Sequence, residues 1–410
     1  MLPMTRRDWL RSAAAAAPLA LAGQVLAAPA AAGTRLLVVF LRGAYDAANI
    51  VAPAGNAFYH EARPNLALKA PDPADPNAAL ALDADWSLHP ALRDTMLPLW
   101  QRGQIAFVPF AGTDDLSRSH FETQDTIELG QPLGGTRNFR SGFMGRLAGV
   151  LGAAPGSCAP IALTEQLPLC FSGGPVVPNI ALGNAAGKPP LDQRQQGLIE
   201  AMYRGQHAGG VDLAAAVHEG FAVREQVFET LQAEMEQAGR DAVSAKGFEL
   251  AGQRIGGLLR DRFNLAFVDI GGWDTHVNQG GAQGNLAGRI GELGRGLASF
   301  ASAVGPEAWR TTTVVVISEF GRTFRENGDK GTDHGHGSTY WVLGGGVKGG
   351  RIAGPQVAIS PATLNQGRDL PVLTDYRALL GGLFARQFGL SARQVDTVFP
   401  GIAGRDLGLI

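Results

Sequence analysis

Apolar runs of strand length, separated by stretches with helical periodicity, constrain the fold of this 410-residue chain more than any other feature. Each run is rich in Val, Leu, Ile or Phe and lacks the alternation of a strand with one solvated face. Such runs are typical of strands that are buried on both faces. Together they predict a central sheet covered by helices on both sides. The runs are 34–41, 104–110, 264–270, 311–318 and 340–345.

Helical patterns fill the intervals between these runs. Apolar residues recur at helical spacing over 211–263 and 284–304, and 374–389 opens on a Thr-Asp cap signal and closes on a glycine. Strands that alternate with helices indicate an α/β fold with a mostly parallel sheet. The segment from about 180 to 263 contains no strand-like run, so we expect a helical cap or insertion there, within a single domain spanning 31–410.

The N-terminus predicts an export signal. Arg6 and Arg7 precede an aromatic residue and a leucine, followed by an apolar run from Ala13 to Ala22 and small residues that suit a cleavage site. The paired arginines resemble a twin-arginine signal over residues 1–30, which implies export by the twin-arginine translocase and a periplasmic or secreted protein. The apolar run is short and rich in alanine, so no stable membrane span is expected after cleavage. A buried helix or a retained anchor is the alternative.

Charge and cysteine content narrow the functional classes. The formal net charge is −2 and no basic face is concentrated in the sequence, which argues against nucleic-acid binding. Two cysteines, Cys158 and Cys170, flank an apolar stretch that contains proline. Outside the cytoplasm they can form a disulfide worth about 3 kcal/mol, and two buried thiols are the equally weighted alternative.

Side chains that can bind metal follow the predicted strands. In open α/β sheets, ligands bind beyond the carboxyl ends of the strands, so these loops are the expected location of a site. Carboxylates and imidazoles together suit zinc, manganese or iron better than calcium, which prefers oxygen ligands alone. Taken singly, a histidine beside an aspartate is more often a structural hydrogen-bonded pair. The candidate metal ligands are Asp46, Asp274, His276, Glu319, His334 and His336.

Two of these motifs place a pair of candidate ligands on one side of the chain. Asp274 and His276 are two residues apart in GWDTH, and His334 and His336 have the same spacing in DHGH. Residues two apart in an extended segment face the same way, so each pair can bind one ion or reach two neighbouring ions. The glycines of GTDHGHG permit close approach of the backbone.

Serines in the loop after the second strand are candidate nucleophiles. Ser117 and Ser119 lie where the strand gives way to a helical pattern, and a helix N-terminus suits an anionic substrate. A neighbouring metal can lower the pKa of such a hydroxyl. Capping of the helix is the structural alternative, because Glu122 follows Ser119 by three residues as in a capping box.

The order of the motifs FLRGAYDAAN, SRSHFETQD, GGWDTH, SEFGRT and TDHGHGS resembles a large bacterial family of exported proteins of unknown function. That family is grouped with the alkaline phosphatase and sulfatase superfamily, and the resemblance covers nearly the whole mature chain. It implies a three-layer α/β sandwich around a mostly parallel sheet. It also implies a site with two metals, a Ser or Thr nucleophile, and a phosphoryl or sulfuryl ester substrate.

The resemblance is partial at the metal ligands. Asp46 is displaced from the end of the first strand, and Glu319-Phe320 stands where the superfamily has Asp-His. These departures remove support for the second metal, so one metal is better supported than two. The final histidine of the superfamily pattern corresponds to His334 or His336, and its nucleophile to Ser119 or Ser117.

The resulting hypothesis is an exported, metal-dependent hydrolase of phosphate or sulfate esters. A divalent cation, zinc first with manganese, iron or calcium as alternatives, would sit beside the serine. Arg322 or Arg42 would hold the anionic oxygens of the ester. The alternative is a catalytically degenerate exported protein of the same fold that acts in envelope binding or assembly, since a fold does not confer a function. A metal redox enzyme ranks third.

Overall fold

The computed structural model of the chain describes three long stretches and several short pieces between them: 33–152, 158–180, 201–202, 204, 207–208, 211–212, 243–244 and 247–410. The predicted signal over residues 1–30 lies outside the described residues, as does most of the predicted helical region before residue 247. Within the described stretches, no helix combines the length and apolar character needed to cross a membrane.

Strands and helices alternate along the described chain. The strands are β1 (Arg35–Leu41), β2 (Val51–Ala52), β3 (Leu80–Ala81), β4 (Ser87–Leu88), β5 (Ile105–Gly112), β6 (Pro160–Leu163), β7 (His207–Ala208), β8 (Val211–Asp212), β9 (Val243–Ser244), β10 (Leu265–Gly271), β11 (Thr312–Ser318), β12 (Ser338–Leu343), β13 (Arg351–Ile352) and β14 (Thr374–Asp375). The α-helices are α1 (Ala57–Ala62), α2 (Met96–Gln101), α3 (His120–Leu129), α4 (Phe143–Leu151), α5 (Phe248–Asp261), α6 (Asn285–Val304), α7 (Pro306–Trp309), α8 (Tyr376–Phe388) and α9 (Ala392–Val398).

The main sheet has the strand order β13-β5-β12-β11-β1-β10-β6, with β14 also beside β5 and β9 beside β10. β1 is parallel to β10 and β11, whereas β12 is antiparallel to both β11 and β5. β5 therefore runs in the same direction as β1. The carboxyl ends of β1, β5, β10 and β11 meet the amino end of β12 at one border, which we call the carboxyl edge.

Burial explains why the apolar runs are continuous. Leu37 and Val39 of β1 pack into a core that includes residues of α5 and α6. Val38 and Phe40, on the other face of the same strand, pack into a core that includes residues of α3, α4, α8 and α9. Since both faces are covered by helices, every residue of β1 is buried. This is the predicted α/β sandwich of three layers.

The structure confirms the five predicted strands as β1, β5, β10, β11 and β12. It also confirms the helical patterns over 284–304 and 374–389 as α6 and α8. Asp375 caps α8 by accepting a hydrogen bond from the amide of Arg377, and Gly389 ends it in the left-handed conformation with φ of 67°. Propensity, capping and burial agree in these elements.

The expectation of a region without strands between 180 and 263 is wrong for its described residues. Val243–Ser244 pairs in parallel with the end of β10, and His207–Ala208 pairs with Val211–Asp212. Each of these strands is only two residues long and is defined by its backbone pairing. A segment of two residues is too short to show the hydrophobic periodicity from which a strand is predicted. The helical pattern is confirmed over Phe248–Asp261, where α5 packs beside α6.

The two cysteines are free thiols in the structure. Cys170 is buried and Cys158 is half-buried. Burial raises the pKa of the Cys158 thiol to about 11. The structure therefore has two free thiols and not the alternative disulfide.

His89 is a buried imidazole beneath the polar loops. Its Nδ1 accepts a hydrogen bond from the amide of Ala91 at 3.0 Å, and its Nε2 lies 3.1 Å from the carbonyl oxygen of Gly281. Burial lowers the pKa of His89 to about 4. The unfolded chain therefore binds a proton at His89 below about pH 6.5, whereas the folded protein does not until the pH approaches 4.

We expect His89 to remove about 2 kcal/mol from the free energy of unfolding between pH 7 and pH 5. Denaturant titrations of the wild type and His89→Asn at both pH values measure this loss. Asn keeps an oxygen acceptor for the Ala91 amide but does not titrate, so its loss over the same interval should be smaller by that amount. Equal losses in the two proteins would contradict the assignment.

Candidate metal centre

Polar loops from four parts of the chain meet at the carboxyl edge. β5 leads to α3, which begins at His120, and β10 is followed by Asp274 and His276. Glu319 directly follows β11, and His334 lies in the segment that enters β12. Because all these loops leave the sheet at the same edge, side chains more than 200 residues apart in sequence come into contact.

Three imidazoles converge on the carboxylate of Asp274. The Nε2 atom of His334 lies 2.9 Å from Nε2 of His120 and 3.0 Å from Nε2 of His276. Oδ1 of Asp274 lies 2.9 Å from Nε2 of His276 and 3.4 Å from Nε2 of His334. Oδ2 lies 3.4 Å from Nε2 of His120. We call these four residues the ligand cluster.

The separations within the ligand cluster match those of neighbouring ligands on one cation. Two ligand atoms that are each about 2.1 Å from a metal lie about 3.0 Å apart at a right angle and about 3.4 Å apart at the tetrahedral angle. The ligand atoms of His120, Asp274 and His334 all lie within 4.8 Å of one another. His120, Asp274 and His334 therefore form a donor set that fits one divalent cation, and His276 lies beside Asp274 and His334.

The carboxylate of Asp274 and the neutral imidazole of His334 favour a cation, whereas His120 carries a proton that a cation would have to displace. Burial alone would raise the pKa of Asp274, but hydrogen bonds from the three imidazoles lower it far below its usual range, so the carboxylate is ionised. Burial opposes protonation of His120, yet its hydrogen bonds to Asp274 and Glu319 raise the pKa of His120 to about 9. Burial lowers the pKa of His334, which keeps the neutral imidazole that metals bind.

Glu319 lies behind His120. Its Oε1 accepts hydrogen bonds from the amide of Gly43 at 2.8 Å and from Nε2 of Gln124 at 2.9 Å, and it lies 2.8 Å from Nδ1 of His120. Its Oε2 accepts from the hydroxyl of Ser318 at 2.9 Å. Glu319 was predicted as a metal ligand, and the structure instead places it behind the imidazole of His120, where a carboxylate can orient a candidate ligand.

The other two imidazoles are oriented in the same way. Nδ1 of His334 lies 2.9 Å from the carbonyl oxygen of Arg118. Nδ1 of His276 lies 3.2 Å from Oδ1 of Asp333, which also accepts a hydrogen bond from Asn327 at 3.0 Å. All three histidines thus have an oxygen at Nδ1 and direct Nε2 to the centre, as supported metal ligands do.

Asp46 does not join the ligand cluster. Arg63 donates to both of its oxygens, at 2.5 and 2.9 Å, and Nε2 of Gln279 donates to Oδ2 at 2.6 Å. Both Asp46 and Arg63 are completely buried. The carboxylate predicted as a metal ligand is a member of a buried ion pair.

His336 is also separate from the cluster, although it is two residues from His334. The amide of Gly335 donates to the carbonyl oxygen of Gly321, whereas the amide of Gly321 donates to that of His336. Gly335 and His336 thus lie opposite the single residue Gly321, as in a β-bulge. The alternation of side chains is broken there. Among the described residues, no hydrogen bond or ion pair joins the imidazole of His336 to the cluster.

The two arginines predicted to hold a substrate are bound to carboxylates of the protein. Nη1 of Arg322 donates to Oδ1 of Asp274 at 2.5 Å. Arg42 donates to Asp269 at 2.6 Å and to Glu128 at 2.8 Å. Both arginines are buried. Their position suits support of the site better than direct binding of substrate oxygens.

Ser119 is the N-cap of α3, where its Oγ accepts from the amide of Glu122 at 3.5 Å. It directly precedes His120 of the ligand cluster. Ser117 is exposed, and its Oγ lies 3.2 Å from Oγ1 of Thr123. The capping alternative is therefore realised for Ser119, and its role as a nucleophile stays a prediction.

His120 is a candidate ligand that the sequence did not single out among the polar residues after the second strand. It lies in the same loop as the candidate serines, immediately after Ser119. Its signal was its position as the first residue of a helix that follows a buried strand, where a side chain faces the carboxyl edge.

Glycines let the segment before β12 lie against its neighbours. A Cβ atom on Gly335 would be 2.4 Å from the carbonyl carbon of Arg322, and one on Gly331 would be 2.0 Å from the carbonyl oxygen of His276. Arg322 and His334 also form an isolated β-bridge. Glycine at these positions thus allows two loops of the cluster to pack closely against each other.

These features define an α/β protein with a mostly parallel sheet and a histidine-rich candidate metal centre at its carboxyl edge. The chain belongs to a family described as a protein of unknown function (DUF1501), whose model matches residues 33–399. A comparison with curated proteins gives no match.

Among solved structures, the chain is similar to a protein in the alkaline phosphatase superfamily from Vibrio parahaemolyticus. The identity is 12% and the TM-score 0.41, with 93% of this chain and 71% of that chain covered. It is also similar to Ps i-CgsB in complex with k-i-k-neocarrahexaose, at 9% identity and a TM-score of 0.40, covering 91% of this chain and 75% of that chain. Neither similarity assigns an activity or a residue to this chain.

The close approach at Gly335 yields a test of the cluster. We expect Gly335→Ala to weaken zinc binding by at least about 10-fold, because the added methyl group must displace Arg322 or His334. Competition of the purified variant against a chromophoric zinc chelator measures the affinity.

Gly288→Ala is the matched control, since a Cβ atom at this position of α6 meets no atom within 4 Å. It should bind zinc like the wild type and gain up to about 1 kcal/mol of stability from helix propensity. Unchanged zinc affinity in Gly335→Ala would show that the close contact does not maintain the cluster.

Proposed function

We propose that the protein is an exported, metal-dependent hydrolase of phosphate or sulfate esters. The observation that carries the proposal is the convergence of three Nε2 atoms and the carboxylate of Asp274 at separations of 2.9 to 3.4 Å. The motif order that resembles the alkaline phosphatase and sulfatase superfamily supports the choice of reaction. The paired arginines of the N-terminus support export by the twin-arginine translocase to the periplasm or beyond.

Zinc is the proposed metal. Three imidazole nitrogens and one carboxylate oxygen are ligands that zinc, manganese and iron accept, whereas calcium prefers oxygen alone. When bound, the cation would lower the pKa of a nearby hydroxyl or water and stabilise negative charge on the ester oxygens. Only one group of potential ligands, His120, Asp274 and His334, is found among the described residues, which favours a single metal.

The residues of the chain have distinct parts in this proposal. Glu319 holds His120 with Nε2 toward the cluster, and Arg322 holds Asp274. Ser119 supplies the attacking hydroxyl at the N-terminus of α3, where the helix dipole favours an anionic substrate. Its capping hydrogen bond of 3.5 Å is long, so its oxygen is weakly held.

Metal content tests the ligand assignment. We expect the purified wild type to contain about one zinc, manganese or iron ion per chain and His120→Ala to bind it at least about 10-fold more weakly, because one direct ligand is lost. Elemental analysis by mass spectrometry, followed by metal titration of the apoprotein, provides both values.

His336→Ala is the matched control, as it removes a mostly buried histidine from the same group of loops but outside the cluster. It should keep the metal. Metal bound only in traces by the wild type, or equal losses in the two variants, would contradict the proposed centre.

Turnover of nitrophenyl phosphate and nitrophenyl sulfate tests the role of Ser119. We expect Ser119→Ala to retain the metal and to lower kcat by at least about 100-fold, because the covalent route is removed. Ser117→Ala changes the hydroxyl two residues away and should stay within about 3-fold of the wild type. A metal-loaded wild type that cleaves neither ester would favour the alternative of binding or assembly in the cell envelope.

A further inference from the structure

A pair of arginines shares one buried carboxylate beside the ligand cluster. Arg118 donates from Nε and Nη2 to Oδ2 of Asp369 at 3.0 and 2.7 Å, and Nη1 of Arg368 lies 3.4 Å from the same oxygen. The carboxylate of Asp369 is completely buried, whereas the side chains of Arg118 and Arg368 are 22% and 40% exposed. Two guanidinium groups share one carboxylate, so these three side chains together carry a net positive charge.

This arginine pair is attached to the cluster through His334. The carbonyl oxygen of Arg118 lies 2.9 Å from Nδ1 of His334, and Nη2 of Arg368 donates to the carbonyl oxygen of His334 at 2.8 Å. Arg118 also directly precedes Ser119. The positive charge is therefore tied to a candidate metal ligand and to the candidate nucleophile.

Donor groups of the pair remain available. Nη1 of Arg118 makes no hydrogen bond to any described residue, and neither does Nε of Arg368. The two arginines predicted to hold the substrate are instead buried and bound: Arg322 by Asp274, and Arg42 by two carboxylates. Arg118 and Arg368, by contrast, keep contact with solvent.

The backbone that presents Arg118 is held in an uncommon conformation. Its φ is 51°, in the left-handed region that residues other than glycine rarely adopt. Gln366, which accepts from Nη2 of Arg118 at 2.8 Å, has φ of 55°. Such conformations persist where surrounding contacts determine them, and they occur often at ligand clamps.

We propose that Arg118 and Arg368 form an anion subsite that binds the oxygens of a tetrahedral oxyanion, namely the phosphoryl or sulfuryl group of the ester. This inference rests on the proposed function. The buried carboxylate of Asp369 fixes the orientation of both guanidinium groups, which distinguishes them from unpaired arginines at the surface. Arginine suits this role because its planar fork matches the oxygens of phosphate and sulfate.

Binding of inorganic phosphate to the metal-loaded mature protein tests the subsite without turnover. Isothermal titration calorimetry of Arg368→Gln should show phosphate binding weakened at least about 10-fold, with the metal content unchanged. Arg368 is the residue to change, because Arg118 still pairs with Asp369 in this variant. Arg368→Lys should recover part of the affinity, since a charge is restored without the fork.

Arg386→Gln is the matched control. Arg386 is similarly exposed, but it precedes Gln387, which donates to the carbonyl oxygen of Arg35 at the opposite end of β1. This variant should bind phosphate like the wild type. A parallel titration with sulfate shows which of the two oxyanions the arginines favour.

The outcomes separate the subsite from the hydrolase proposal. The subsite would be overturned if Arg368→Gln bound phosphate and sulfate as tightly as the wild type does. It would also be overturned if the metal-loaded wild type bound neither anion. Arginine-dependent binding without any ester cleavage would support the subsite and count against hydrolysis.

Discussion

The buried negative charge of Asp274 is the constraint on which the rest of the site depends. An isolated carboxylate with 1% exposure would be strongly destabilising, and the protein surrounds it with groups that donate hydrogen bonds or carry positive charge. Arg322 provides the permanent charge, and three imidazoles occupy the remaining directions. The imidazoles cannot all donate to one another through facing Nε2 atoms. A divalent cation at their centre would satisfy them and the carboxylate at once.

A second buried ion pair supports this arrangement from beneath. Arg63 neutralises Asp46, and Gln279 donates to Asp46 while accepting from the hydroxyl of Thr332 at 2.8 Å. The same hydroxyl accepts from Nε of Arg322 at 3.2 Å. The hydrogen bonds form one connected path, so the orientation of Arg322 depends on groups that never touch the cluster. A network of this kind is stabilising only when all its members are paired.

The sequence predicted the fold well because burial on both faces is a local property of each run. β1, β10 and β11 are continuous apolar segments, and their direction follows from the helices between them. It also located the edge where the site would form, and Asp274, His276 and His334 do converge there. The sequence could not distinguish a residue that binds the metal from a residue that only orients such a ligand. Glu319 and Asp46 differ from a metal ligand only in which groups face them.

The errors within the site share this physical origin. His336 has the same spacing to His334 as His276 has to Asp274, but a bulge opposite Gly321 breaks the alternation. Spacing predicts a shared side only while the segment stays regular. His120 was missed for the opposite reason, since no partner lies near it in sequence and its contacts come from loops about 200 residues later. The roles of the arginines also depend on contacts that the sequence does not show. A guanidinium is free to bind an anion only when the carboxylates around it are too few to neutralise it, and that balance is decided by tertiary contacts.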